Sequence, residues 1–188
     1  MTSPSGDRPF SQSDREWMAR ALQLAALGRD STSPNPRGGC VLTRNDQLLA
    51  EGWHQWAGEG HAEVNALAQV EDASGATAYV TLEPCSHQGK TPPCADALIR
   101  AGVSRVVVAM SDPNPLVAGR GLARLQETGI KVSSGLLEAQ ARELNKGFVR
   151  RMEGGLPWLR AKSAMSLDGR TAMASGESQW ITGADARA

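Results

Sequence analysis

The sequence predicts an α/β protein, a three-layer α/β/α sandwich built around a mixed sheet. Three observations carry that expectation. Thr77 to Leu82 and Arg105 to Met110 are short, nearly continuous apolar runs, as strands covered on both faces should be. Segments with apolar residues at helical spacing lie between and after these runs, which is the alternation of a sheet with helices on both sides. Gly39 to Thr43 and Gln47 to Gly52 flank the turn-forming pair Asn45-Asp46, so a hairpin joins the sheet.

The elements follow in chain order. Residues 1–12 are rich in Ser, Pro and Gly and are expected to be a flexible terminus. Ser13-Asp14-Arg15-Glu16 has the form of a capping box, with Ser13 as N-cap and Glu16 at N3. Trp17, Met18, Ala21, Leu22, Ala25 and Leu27 then recur at helical spacing up to Gly28. Ser33-Pro34-Asn35-Pro36 is irregular, because proline removes donors and restricts its neighbour. After the hairpin a helix opens near His61 and runs through Val64, Leu67 and Ala68. The Pro92-Pro93-Cys94 corner starts another helix that ends at Gly102. A helix over Gly121 to Thr128, a strand over Ile130 to Val132 and one long helix over Leu136 to Met152 complete the set. Gly154-Gly155 and Pro157 break the pattern, and Trp158 to Leu167 has the composition of a new strand. The expected organisation is therefore a domain over 13–152, a linker over 153–157 and a short further segment over 158–188.

Charge and cysteine count narrow the function. Twenty Lys plus Arg balance twenty Asp plus Glu, so no basic excess points to a nucleic-acid partner. No apolar run approaches the roughly 20 residues of a membrane span, and the polar start lacks a signal-peptide core, so no membrane partner and a cytoplasmic location are expected. Three cysteines in such a chain argue against a disulfide framework. Cys40, in an apolar run, is expected to be a buried strand residue.

Cys85 and Cys94 stand differently, downstream of His61-Ala62-Glu63. His61, Cys85 and Cys94 offer one imidazole and two thiolates, which suit Zn2+ and leave a fourth position open to water. Glu63 is then a carboxylate beside the metal, able to carry protons as a general acid and base. An H-x-E followed by paired cysteines is the pattern of zinc-dependent base deaminases, although the gap between Cys85 and Cys94 is wider than the usual close pair. A structural zinc completed by His87 or Glu63 is the alternative. His87 and Lys90 are tethered between the two thiolates, where Lys90 either meets a substrate phosphate or is simply solvated. Packing beside Trp53 and Trp56 accounts for His54 as well as function does. Turn chemistry alone explains Asn35, Asp112 and Asn114 from spacing.

Longer stretches carry a resemblance. Pro34-Asn35-Pro36, His61-Ala62-Glu63-Val64, Tyr79 through His87 and Gly89 through Cys94 are similar to the bifunctional riboflavin-biosynthesis deaminase/reductase family, as are Asp112 through Pro115 and Leu144 through Phe148. The resemblance implies the cytidine-deaminase-like form of the sandwich. It also implies hydrolytic deamination of 2,5-diamino-6-ribosylamino-4(3H)-pyrimidinone 5′-phosphate, a small phosphorylated pyrimidine. His61, Cys85 and Cys94 would hold zinc, Glu63 would shuttle protons, and Asn35, His54, His87, Lys90, Asp112 and Asn114 would meet the substrate. In residues 158–188 it implies the opening of the reductase half, with Ala164 and Trp180 against NADPH and Ser178 against substrate. So short a segment cannot form its own core, so no reductase activity is expected of it. An exposed face left by that half would favour a homo-oligomer. Gly38 and Gly60 depart from the family pattern, which usually has Val and often Pro there, and both loosen the backbone beside the site. Two other readings stand beside the leading one: deamination of a different base, and a zinc-bound chain without catalysis.

Overall fold

The computed structural model describes residues 10–87, 92–115, 117–178 and 183–185, which fall into two units divided between Pro157 and Trp158. In the first unit, α1 (Gln12–Leu27) leads into the hairpin β1 (Gly39–Arg44) and β2 (Gln47–Trp53). Then come α2 (Ala62–Leu67), β3 (Thr77–Val80), α3 (Cys94–Arg100), β4 (Arg105–Val108), α4 (Arg120–Glu127) and β5 (Lys131–Ser134). Helices α5 (Glu138–Leu144) and α6 (Lys146–Gly154) close the unit. The strands lie in the order β2-β1-β3-β4-β5. β1 is antiparallel to β2 and β3, while β3, β4 and β5 are parallel, so the sheet is mixed as expected.

The two-residue alternation of the strands builds two cores. Cys40 and Leu42 of β1 pair with Val80 and Ala78, which pair in turn with Val108 and Val106. This face packs against Ala62 and Ala66 of α2, Leu98 of α3 and Leu125 of α4. Val41, Tyr79 and Val107 point the other way, toward Met18, Ala21 and Leu24 of α1, Ala141 of α5 and Val149 of α6. β3 and β4 are apolar on both faces because both faces are covered. Each fully buried Val or Leu contributes on the order of 2 kcal/mol. Asn45 and Asp46 both adopt positive φ, 51° and 61°, the turn geometry that matches the twist of a hairpin.

Three expectations are corrected. The capping box lies two residues early: Ser11 is the N-cap and Asp14, not Glu16, is N3. Asp14 N–H donates to Ser11 Oγ (3.0 Å), and Ser11 N–H donates to Asp14 Oδ2 (2.9 Å). Tertiary contacts set this phase, since Asp14 is buried against Arg105 of β4 and the Tyr79 hydroxyl of β3. Ser13 instead donates to Asp46 in the hairpin turn. The long final helix is two helices, broken at Asn145. Asn145 Oδ1 accepts the Arg37 N–H (2.8 Å) and its Nδ2 donates to Arg37 C=O (3.0 Å), contacts that a continuous helix would misdirect. In the second unit, the expected strand over 158–167 does not form among the described residues. A strand needs a ladder partner. The backbone bonds found there instead close two tight turns, Ser166 N–H to Arg170 C=O (2.9 Å) and Met173 N–H to Glu177 C=O (2.8 Å).

Candidate active site

One edge of the sheet gathers the polar residues. The ends of β2, β3 and β4 and the start of the antiparallel β1 all open there. A cavity of about 530 Å³ lies at this edge. Asn35, His54, His61, Glu63, Cys85, His87, Asp112 and Asn114 all line it. Gly39 is what lets α1 lie close behind: a Cβ on it would stand 1.9 Å from Ala21 C=O. The departure at Gly38 is milder, since a Cβ there would meet only the Ala62 side chain at 3.7 Å.

His61 is the N-cap of α2, in extended backbone with φ −73° and ψ 167°. His61 thus stands just outside the helix, while Glu63 lies within it. Cys94 is the first residue of α3, and Cys85 lies in the loop after β3. His61 Nδ1 is 3.3 Å from Cys94 Sγ and 3.6 Å from Cys85 Sγ, and the Cys94 N–H donates to Cys85 Sγ at 3.3 Å. The three donor atoms lie within 4.8 Å of one another. Tetrahedral zinc, with Zn–S near 2.3 Å and Zn–N near 2.05 Å, sets sulfur and nitrogen about 3.6 Å apart, so the group fits that ion. Among the described residues, neither His87 nor Glu63 joins the set. The Cys94 thiol donating to Cys85, with His61 beside it, holds Cys85 down to about 4. The same bond, with burial, pushes Cys94 up.

Glu63 is 7% exposed. Burial raises its carboxyl above the ordinary range, against a pull from neighbouring His61. His54 is also buried, and burial lowers its imidazole. Its Nδ1 lies 3.0 Å from Gly60 C=O, which can only accept, so Nδ1 carries the proton and Nε2 accepts from Asn35 Nδ2 at 3.2 Å. The ring meets His61 edge-on, centroids 5.2 Å apart. Asp112 is raised by burial, with nearby Glu83 adding to the rise, while its Oδ1 accepts the Asn114 N–H at 2.8 Å. His87 stands exposed at the cavity wall.

The remaining expected residues are not gathered here. Lys90 and Trp180 lie outside the described residues. Ala164 and Ser178 belong to the second unit, where Ser178 Oγ donates to Thr171 C=O at 2.8 Å. The cavity also has walls that sequence reasoning left without a role: Glu83 after β3, and Phe148 and Met152 on α6. Glu83 and Phe148 sit inside the stretches that carried the resemblance. An acid ending an apolar strand, before Pro84, was the available signal for Glu83.

Residues 11–110 match the description "Cytidine and deoxycytidylate deaminase zinc-binding region", and residues 157–188 match "RibD C-terminal domain". The chain is 63% identical over 175 residues to the riboflavin biosynthesis protein RibD of Escherichia coli K12, covering 93% of this chain and 48% of that protein. It is 51% identical over 145 residues to the diaminohydroxyphosphoribosylamino-pyrimidine deaminase of Buchnera aphidicola subsp. Schizaphis graminum, covering 77% of this chain and 99% of that one. The Acinetobacter baumannii RibD structure (form 1) superposes with a TM-score of 0.87 at 58% identity, over 93% of this chain and 49% of that chain. An apo dCMP deaminase from cyanophage S-TIM5, at 22% identity and TM-score 0.52, shares the fold over 66% of this chain and 99% of its own. The chain spans about half the length of the RibD proteins it matches.

Proposed function

The chain belongs to the riboflavin-biosynthesis branch of the zinc-binding cytidine and deoxycytidylate deaminase family, and we propose that it deaminates a phosphorylated diaminopyrimidine. The reaction replaces the exocyclic amine of 2,5-diamino-6-ribosylamino-4(3H)-pyrimidinone 5′-phosphate with oxygen, consuming one water and releasing one ammonia. One observation carries the reading: a buried Glu63 carboxyl shares a cavity of about 530 Å³ with His61 and Cys85, two members of a three-donor corner that Cys94 completes. That volume lies within the range of small-molecule sites.

His61, Cys85 and Cys94 would hold zinc, which would lower the pKa of a water and so supply a nucleophile near neutral pH. Glu63 takes the proton from the attacking water and passes it to the departing amine. Its burial favours this, because a carboxyl raised toward the working pH can both accept and donate. Asn35 and Asp112 bind the polar edges of the substrate, together with Asn114. His54 fixes the Asn35 amide through its Nε2, His87 would meet the substrate, and Lys90 would serve its phosphate. Phe148 and Met152 offer the ring an apolar face and exclude water. In the family, NADPH serves the reductase half. We read residues 158–188 as the opening of that half, with Ala164, Ser178 and Trp180 as its positions, and assign them no part in the deamination. We also propose a reducing, cytoplasmic setting, which would keep the thiolate ligands unoxidised.

The test is ammonia release from that ribosyl phosphate by the purified chain, with and without a chelator. Chelator-sensitive release is expected. A folded, zinc-loaded chain that releases none would overturn the proposal.

A further inference from the structure

The deamination just proposed leaves one buried acid of the cavity unused. Glu83 is 6% exposed, and three backbone N–H groups converge on its carboxylate. Asp112 N–H donates to Oε2 at 3.1 Å, Gly119 N–H to Oε2 at 2.9 Å, and Gly121 N–H to Oε1 at 2.9 Å. From this geometry we propose that Glu83 is a positioning residue for substrate. It holds the 112–114 loop and the start of α4 against the loop that carries Cys85, so that Asp112 and Asn114 face the cavity. The inference rests on the deaminase reading, in which those two residues meet the substrate.

Helix α4 lacks a cap of its own: its N-cap is Gly119, with φ 79° and no side-chain bond. The open N–H groups of its first turn need acceptors, and a negative charge suits that end of a helix. Glu83 supplies both from 36 residues upstream. Gly121 makes the approach possible, since a Cβ there would stand 2.0 Å from Pro84 C=O. The hold reaches the loop in two links. Glu83 binds the Asp112 N–H, and Asp112 Oδ1 binds the Asn114 N–H at 2.8 Å. A glutamine cannot replace this carboxylate. With a single acceptor oxygen, either amide orientation turns its NH₂ toward at least one backbone donor.

The experiment compares the zinc-loaded chain with Glu83→Gln and Glu83→Asp. In Glu83→Gln, exchange of the Asp112, Gly119 and Gly121 amides is expected to quicken about tenfold or more, while Tyr79 and Val107 keep their protection. Zinc stays at one per chain, KM for the ribosyl phosphate rises about tenfold, and kcat stays within about twofold. Glu83→Asp, which restores the charge, recovers part of the KM change. If Glu83→Gln does not fold, Gly121→Ala displaces the same helix start with Glu83 intact and should give the same pattern. Unchanged exchange at the three amides would overturn the hold. Quickened exchange with KM unaltered, or kcat falling in step with zinc content, would overturn its role toward substrate. A wild-type chain without turnover would count against the deaminase reading, while the exchange result would still decide the hold.

Discussion

Glu63 and Glu83 are the same residue in the same cavity, nearly equally buried at 7% and 6% exposed, and the fold gives them opposite surroundings. Glu63 lies among titratable groups, with His61, Cys85 and Cys94 as its neighbours. Proton transfer is the role proposed for it. Glu83 accepts from three backbone donors, and the role proposed for those bonds is to hold two loops together. A buried carboxylate with fixed N–H partners is committed to holding them, whereas one beside movable protons is available to transfer them.

The contrast can be broken most sharply at Glu63. Glu63→Gln should lower ammonia release about 10²- to 10⁴-fold, the range for losing a positioned acid and base, with zinc content and unfolding midpoint retained. Near-normal turnover would remove the distinction between the two acids. Chelation at the proposed zinc corner of His61, Cys85 and Cys94 comes next. At free zinc 100 to 1,000 times its Kd, the bound ion stabilises the fold by about 3–4 kcal/mol, read as the difference between chelated and loaded unfolding curves. Glu83→Gln should cost about 2–3 kcal/mol, because it leaves buried backbone donors facing an amide.

A third buried acid extends the comparison. Burial pushes the Asp14 carboxyl up, but the Arg105 guanidinium, the Ser11 N–H and the Tyr79 hydroxyl together hold it well below the usual range. Its contribution is therefore complete above the unfolded-chain value of about 3.9 and is lost as pH falls from there through the lower folded value. Asp14→Asn should cost about 2 kcal/mol at neutral pH. The gap between variant and wild type should then close below about pH 4 in acid titrations of unfolding. The exposed pair Arg20–Glu51 marks the small end. Arg20→Ala should leave the unfolding midpoint unchanged within scatter, since solvent screens such a pair.

The residues of the chain determine by themselves whatever depends on near neighbours. The apolar runs of β1, β3 and β4 announce a covered sheet, and Asn45-Asp46 announces the hairpin. His61-x-Glu63 and the two cysteines raise the expectation of metal chemistry, because ligand types and a nearby carboxylate are local facts. Tertiary structure decides what depends on partners far along the chain. The phase of α1 is set by Asp14 meeting Arg105, the break between α5 and α6 by Asn145 meeting Arg37, and the capping of α4 by Glu83. A polar group can be satisfied locally or from afar at similar free energy, and only the folded chain shows which partner it took.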